Sequence, residues 1–96
     1  MTVIVWTEPA VADLENIHSY IARDSEVYAD AILLGLFEAV ERLETYPSSG
    51  RIVPELADDS TRELIVGNYR VVYSVSGETV RILTVLHSAR TFQDPR

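Results

Sequence analysis

The run over residues 61–90, TRELIVGNYRVVYSVSGETVRILTVLHSAR, constrains this chain more than any other part of it. Residues 64–66, 71–73 and 80–86 are rich in β-branched and aromatic side chains, which fit a pleated, half-buried surface. Gly67-Asn68 and Ser76-Gly77 separate them, where a hairpin needs residues of unusual backbone angle. Three short strands joined by tight turns are therefore expected, each with an arginine in or beside it. Such a sheet is built to present cation.

Upstream the period changes. Val3–Trp6 is a short apolar strand, and Thr7 is placed to cap a helix whose first turn holds Pro9. Ala10, Leu14, Ile17 and Ile21 recur at helical spacing, with Asp13, Glu15, Asn16 and Ser19 mostly off that stripe. Asp24-Ser25 caps a second helix, expected over residues 26–46, with Ala29, Ile32, Leu33, Leu36, Val40 and Leu43 on its buried side. Glu38, Glu41 and Glu44 read as its solvated face. Pro47-Ser48-Ser49-Gly50 ends it, and residues 51–60 form a polar, acidic loop with an extended piece at residues 52–53. The order is β-α-α-β-β-β, an α+β layer in which an αα-hairpin covers one face of an antiparallel meander, and the first strand joins the same sheet.

With 96 residues and 47% hydrophobic content, the chain has room for one core and one domain, so any activity sits on a single surface. The absence of cysteine excludes disulfides and thiolate chemistry, and His18 and His87 share no metal-binding spacing, so no metal or other cofactor is expected. No apolar stretch approaches the roughly 18 residues of a membrane span, and the first residues are too short for a secretory segment. The cytoplasm is the expected compartment, with no membrane partner.

The net charge of −7 is unevenly spread, with nine acids and two arginines in the first 48 residues and six of each in the rest. From Arg62 onward five arginines face Glu63, Glu78 and Asp94, which makes the sheet half the side that meets anions. All eight basic residues are arginine, whose planar fork suits carboxylate or phosphate. Residues 80–86 are apolar on both parities, so both sheet faces need cover. The helices supply one cover; loops, the C-terminal tail, a partner segment or another subunit must supply the other.

Trp6-Thr7, Ala12-Asp13-Leu14 with Ile17, the helix exit from Tyr46 to Arg51, Arg62-Glu63-Leu64, the Tyr69 to Tyr73 strand and the His87-Ser88-Ala89-Arg90 ending together resemble the RelE/ParE superfamily of toxins from bacterial type II toxin–antitoxin modules. The resemblance spans residues 3–92. It implies a single toxin domain over residues 1–96 that arrests growth and is neutralised by a co-encoded antitoxin. The antitoxin's C-terminal segment would wrap across the sheet and helices in a hetero-oligomer. Operator DNA would be reached only through that partner.

One branch of the superfamily poisons DNA gyrase without evident catalytic residues; another cuts mRNA in the ribosome. For the second, Arg51, Arg62, Arg70 and Arg81 are the candidate cations, with His87 or Glu63 as base. The nuclease members, however, typically carry several lysines and a tail tyrosine, whereas this chain has no lysine and has Phe92 there. A pI near 4.6 also suits ribosomal RNA poorly. Gyrase is therefore the expected target, ribosome-dependent cleavage the alternative, and a non-toxic peptide-binding or dimerisation module a third reading. Arg62, Tyr69, Arg70, Tyr73 and Arg90 are the candidate antitoxin or target contacts. Arg70 has a second reading, as a structural arginine paired with Glu63 or Glu78.

Overall fold

In the C-terminal half, β3 (Thr61–Val66), β4 (Tyr69–Ser76) and β5 (Thr79–His87) form the expected meander, closed by two-residue loops with Val66 opposite Tyr69 and Ser76 opposite Thr79. The computed structural model describes residues 2–92; Asp94 and Arg96, counted in the charge balance above, lie outside them. Gly67 and Gly77 each begin a loop at φ 59°, and Asn68 and Glu78 have negative φ, the type II′ pattern that matches strand twist. The second turn is thus Gly77-Glu78 and not Ser76-Gly77. The positive φ belongs at its first position, which leaves Ser76 inside the strand.

The remaining strands extend this meander on both sides. β1 (Val3–Trp6) runs parallel to β5, from Val3 opposite Thr79 to Trp6 opposite Ile82. β2 (Arg51–Ile52) pairs antiparallel with β3, one residue earlier than the expected extended piece, and gives the sheet order β1-β5-β4-β3-β2.

Two capped helices connect β1 to β2. In α1 (Glu8–Ala22), Thr7 Oγ1 accepts the Ala10 amide at 3.4 Å while donating to the Ile82 carbonyl at 2.6 Å, so one hydroxyl both caps the helix and ties its start to β5. Ser25 Oγ accepts from the Tyr28 amide at 3.1 Å and starts α2 (Glu26–Glu41). The α-geometry stops short of residue 46, tightening into a 3₁₀ turn at Arg42–Glu44. Tyr46 precedes Pro47, a position that disfavours α-conformation, and the Arg42 carbonyl accepts from both Thr45 and Tyr46.

Ala10, Leu14, Leu36, Val40 and Leu43 pack against Val71, Tyr73, Val80, Ile82 and Val85, which places the main core between the helical hairpin and one sheet face. The α+β layering expected from the sequence is the one observed. Beyond the end of β1, the Asp13 carboxylate takes over the edge of β5. It accepts from the Val85 amide at 3.0 Å and from the Thr84 hydroxyl at 2.5 Å, doing for β5 what a longer β1 would have done.

The two-sided hydrophobicity of β5 has a local cause. Val72 lies opposite Thr84 and Tyr73 opposite Ile82, so Leu83 is an extra residue in a β-bulge. Ile82 and Val85 both face the helices although three positions separate them, and Leu83 and Leu86 turn to the opposite face. There they join Val53, Leu56, Val72 and Phe92 in a second apolar cluster. The 51–60 loop and the chain's own tail therefore cover that part of the second face, through the loop and tail routes among those considered.

Candidate functional site

At the centre of the second face Arg70 is 5% exposed, and its guanidinium gathers three segments. Nε donates to Glu63 Oε1 on β3 at 2.8 Å, Nη1 and Nη2 reach both oxygens of Glu55 in the loop at 2.9 and 2.8 Å, and Nη1 also donates to the Arg90 carbonyl in the tail at 2.8 Å. The backbone amide of Phe92 in the tail donates to Glu55 Oε2 at 2.9 Å. Hydrogen bonding from Arg70, then from the Phe92 amide, holds the Glu55 carboxyl down at about 2. The same two carboxylates, Glu55 foremost, raise the Arg70 guanidinium further above its ordinary range.

Glu63, 1% exposed, is held from the other side by Arg51 Nε at 2.5 Å, and Arg62 Nη1 donates to the Gly50 carbonyl at 2.9 Å. Gly50 itself is sterically required. A Cβ there would lie 2.6 Å from both the Glu63 carbonyl oxygen and Tyr73 Oη, and the Gly50 amide donates to that hydroxyl at 2.9 Å. Tyr73 is fully buried, and burial pushes its phenol up.

These contacts correct the expectation of an open, cationic sheet. Arg70 takes the structural reading, with Glu63 and with the unexpected Glu55 in place of Glu78. Tyr73 belongs to the main core and presents nothing to a partner. Tyr69 is half-buried, its ring edge-on to His87 at 5.8 Å between centroids. Arg81 and Arg90 remain exposed, without an ion pair among the described residues.

Nor do the candidate nuclease groups converge. Val80 and Ile82 face the helices, so Arg81 between them points to the opposite side with Arg70 and Arg51, whereas His87 shares the helix side with Tyr69. Arg81 and His87 are also six positions apart on one strand, roughly 20 Å at the usual rise. His87 Nδ1 accepts from the Ala89 amide at 3.2 Å, and both oxygens of Glu63 are engaged by arginines.

Two open clefts flank the sheet. One of about 640 Å³ lies between the start of α1, the end of β5 and the tail, lined by Thr7, Leu83, Leu86, Arg90 and Phe92 among others. The other, about 380 Å³, lies between α2 and β1, where Ile4, Trp6, Leu34 and Phe37 make the floor and Glu38, Glu41 and Glu44 the rim. Sequence reasoning missed Glu55, Asp13 and this second cleft. The 34, 37, 38, 41 spacing places these residues on one helix face but looks the same as that of a solvated face, so it does not signal the cleft.

Comparison with known proteins supplies what the site geometry alone does not. Residues 4–92 match the family described as the ParE toxin of the type II toxin–antitoxin system parDE. The chain is 38% identical over 91 residues to Toxin RelE2 of Caulobacter vibrioides (strain ATCC 19089 / CIP 103742 / CB 15), covering 94% of this chain and 99% of that protein. It is likewise 38% identical over 87 residues to the Putative toxin Y4kP of Sinorhizobium fredii (strain NBRC 101917 / NGR234), covering 88% and 86%. A solved structure described as the chromosomal ParDE TA system from P. aeruginosa shares the fold at a TM-score of 0.76 and 23% identity, over 91% of this chain and 96% of that one. The match is in sequence over almost the whole chain and does not depend on an open cationic face: the chain belongs to the ParE toxin family of type II toxin–antitoxin systems.

Proposed function

We propose that this toxin arrests growth by acting on DNA gyrase in the cytoplasm, and that a co-encoded antitoxin neutralises it in a hetero-oligomer and is the route to any contact with operator DNA. The observation that carries the choice of target is the scattering of the candidate nuclease groups. Phosphodiester cleavage needs base, acid and cation around one phosphate, whereas His87 lies across the sheet from Arg81 and Arg70 is held by two carboxylates. The acidic balance of the chain adds to this, since docking among ribosomal phosphates draws on counterion release. Exposed Arg81 and Arg90 are the target contacts in this reading, with Arg51 and Arg62 at the far edge of the sheet already engaged within the chain.

The test is induced expression without partner, followed by two assays on purified toxin. Growth arrest with gyrase–DNA cleavage complexes, and inhibited supercoiling in vitro, is the expected result. Toeprints showing cuts at codon positions on translating ribosomes, with gyrase unaffected, would overturn the target and favour the nuclease branch. Normal growth with folded toxin present would overturn the toxic activity itself.

A further inference from the structure

The sequence reads Glu38, Glu41 and Glu44 as a solvated face, yet the structure sets them along a cleft. Leu34, Phe37, Glu38 and Glu41 share one side of α2, and that side looks across to β1, the outermost strand of the sheet. Leu34 is 59% and Phe37 44% exposed, and Phe37 meets Trp6 edge-on at 5.5 Å, so a pair of large rings forms an open apolar floor. None of the three glutamates forms an ion pair among the described residues. Val3, at the start of the edge strand, is 55% exposed.

An apolar floor with three unpaired carboxylates on one lip is suited to one kind of occupant. A second copy of this chain would bring another net charge of −7 and the same carboxylates to the lip, so self-association is opposed by charge. A nucleic-acid backbone is opposed for the same reason. We propose that the α2–β1 cleft is the docking groove for a segment of the antitoxin in which leucine- or isoleucine-type side chains alternate with arginine or lysine. The apolar side chains enter between Trp6, Leu34 and Phe37, and the cations pair with Glu38, Glu41 and Glu44. This rests on the antitoxin reading above and adds to it the place and charge of the contact. Partner choice then follows from charge as well as shape, because an acidic segment of equal hydrophobicity would meet like charge at the lip.

The test uses full-length toxin and the protein encoded beside it, with affinity measured by calorimetry at low and high salt. The triple variant Glu38→Lys, Glu41→Lys, Glu44→Lys is expected to bind about tenfold or more weakly and to lose most of the salt dependence, while still arresting growth. Replacing arginine or lysine by glutamate in the antitoxin segment should restore binding to this variant. A matched set away from the cleft, Glu8→Lys, Glu15→Lys and Glu26→Lys, should leave affinity within about twofold. Equal loss in both sets would mean a global charge effect and overturn the groove, as would unchanged affinity of the cleft variant. Should the cleft variant fail to fold by circular dichroism, the conservative triple Glu→Gln set and Leu34→Ser provide the same readings. Failure of wild-type toxin to bind the neighbouring protein at all would instead remove the antitoxin reading. Concentration-dependent dimerisation of wild type, abolished in the cleft variant, would assign the groove to a second copy and overturn the proposal.

Discussion

The two faces of the sheet are closed by opposite means. On the helix face, Leu36, Leu43, Val71 and Ile82 are fully buried and shape alone holds them, each such side chain stabilising the fold by about 1.5–3 kcal/mol through area removed from water. On the other face a small apolar cluster around Val53, Val72 and Phe92 adjoins a buried cation held by two carboxylates. The first arrangement tolerates conservative exchange among apolar residues, because packing is forgiving of identity when volume is kept. The second is most sensitive at Arg70 and Glu63, because removing either of these buried partners leaves charge in a dry place, whereas the partly exposed Glu55 can be lost at smaller cost. Stability by volume and stability by charge matching thus sit about one strand thickness apart.

Breaking the ionic side should give the largest effect. Arg70→Ala leaves Glu63 buried with only Arg51 and frees both the loop and the tail, so urea titration is expected to show a loss of about 4 kcal/mol. The double variant Arg70→Met, Glu63→Leu should recover most of that, since apolar replacement of a buried pair is often neutral or better. If the double variant is as unstable as the single one, the contrast between the faces fails. On the helix face, Leu36→Ala should cost about 3 kcal/mol by cavity formation, and no second substitution by charge removal should rescue it.

The smallest effect sharpens the comparison through pH. Glu55 is held from its ordinary 4.5 down to about 2, so its contribution is fully present above about 4.5 and is lost as pH falls towards 2. Glu55→Gln should therefore be less stable than wild type by about 1 kcal/mol at neutral pH, discounted because its side chain is 24% exposed. The gap should stay level down to about pH 5 and close between 4.5 and 2. A gap that widens on acidification would mean that Glu55 is not held as its ionised form.

Much of this arrangement could be read from the chain before any coordinates. Both hairpin glycines, Thr7 and Ser25 as caps and the apolar stripes of both helices carry their meaning within a few residues, where local sterics decide. The bulge at Leu83 was not legible, because an extra residue in an apolar run looks the same as a strand buried on both sides. Arg70 with Glu63 was one of two readings, being near neighbours across a hairpin. Glu55 stood in an irregular acidic loop with no period to tie it to β4, and Asp13 acts on Val85, 72 positions away, so no spacing rule reaches either. The cleft escaped for a different reason: its glutamates have the spacing of an ordinary wet helix face, and only the approach of β1 makes a floor beside them.

Because Glu55 grips the Phe92 amide and Arg70 grips both the Arg90 carbonyl and Glu55, the loop and the tail segment at residues 90–92 are fastened by one knot. They should consequently open together as a single cooperative flap in hydrogen exchange, at a free energy below that of global unfolding. Removing the chain from Arg90 onward or nicking the loop would then have the same outcome, uncovering Val72, Leu83 and Leu86 in one step.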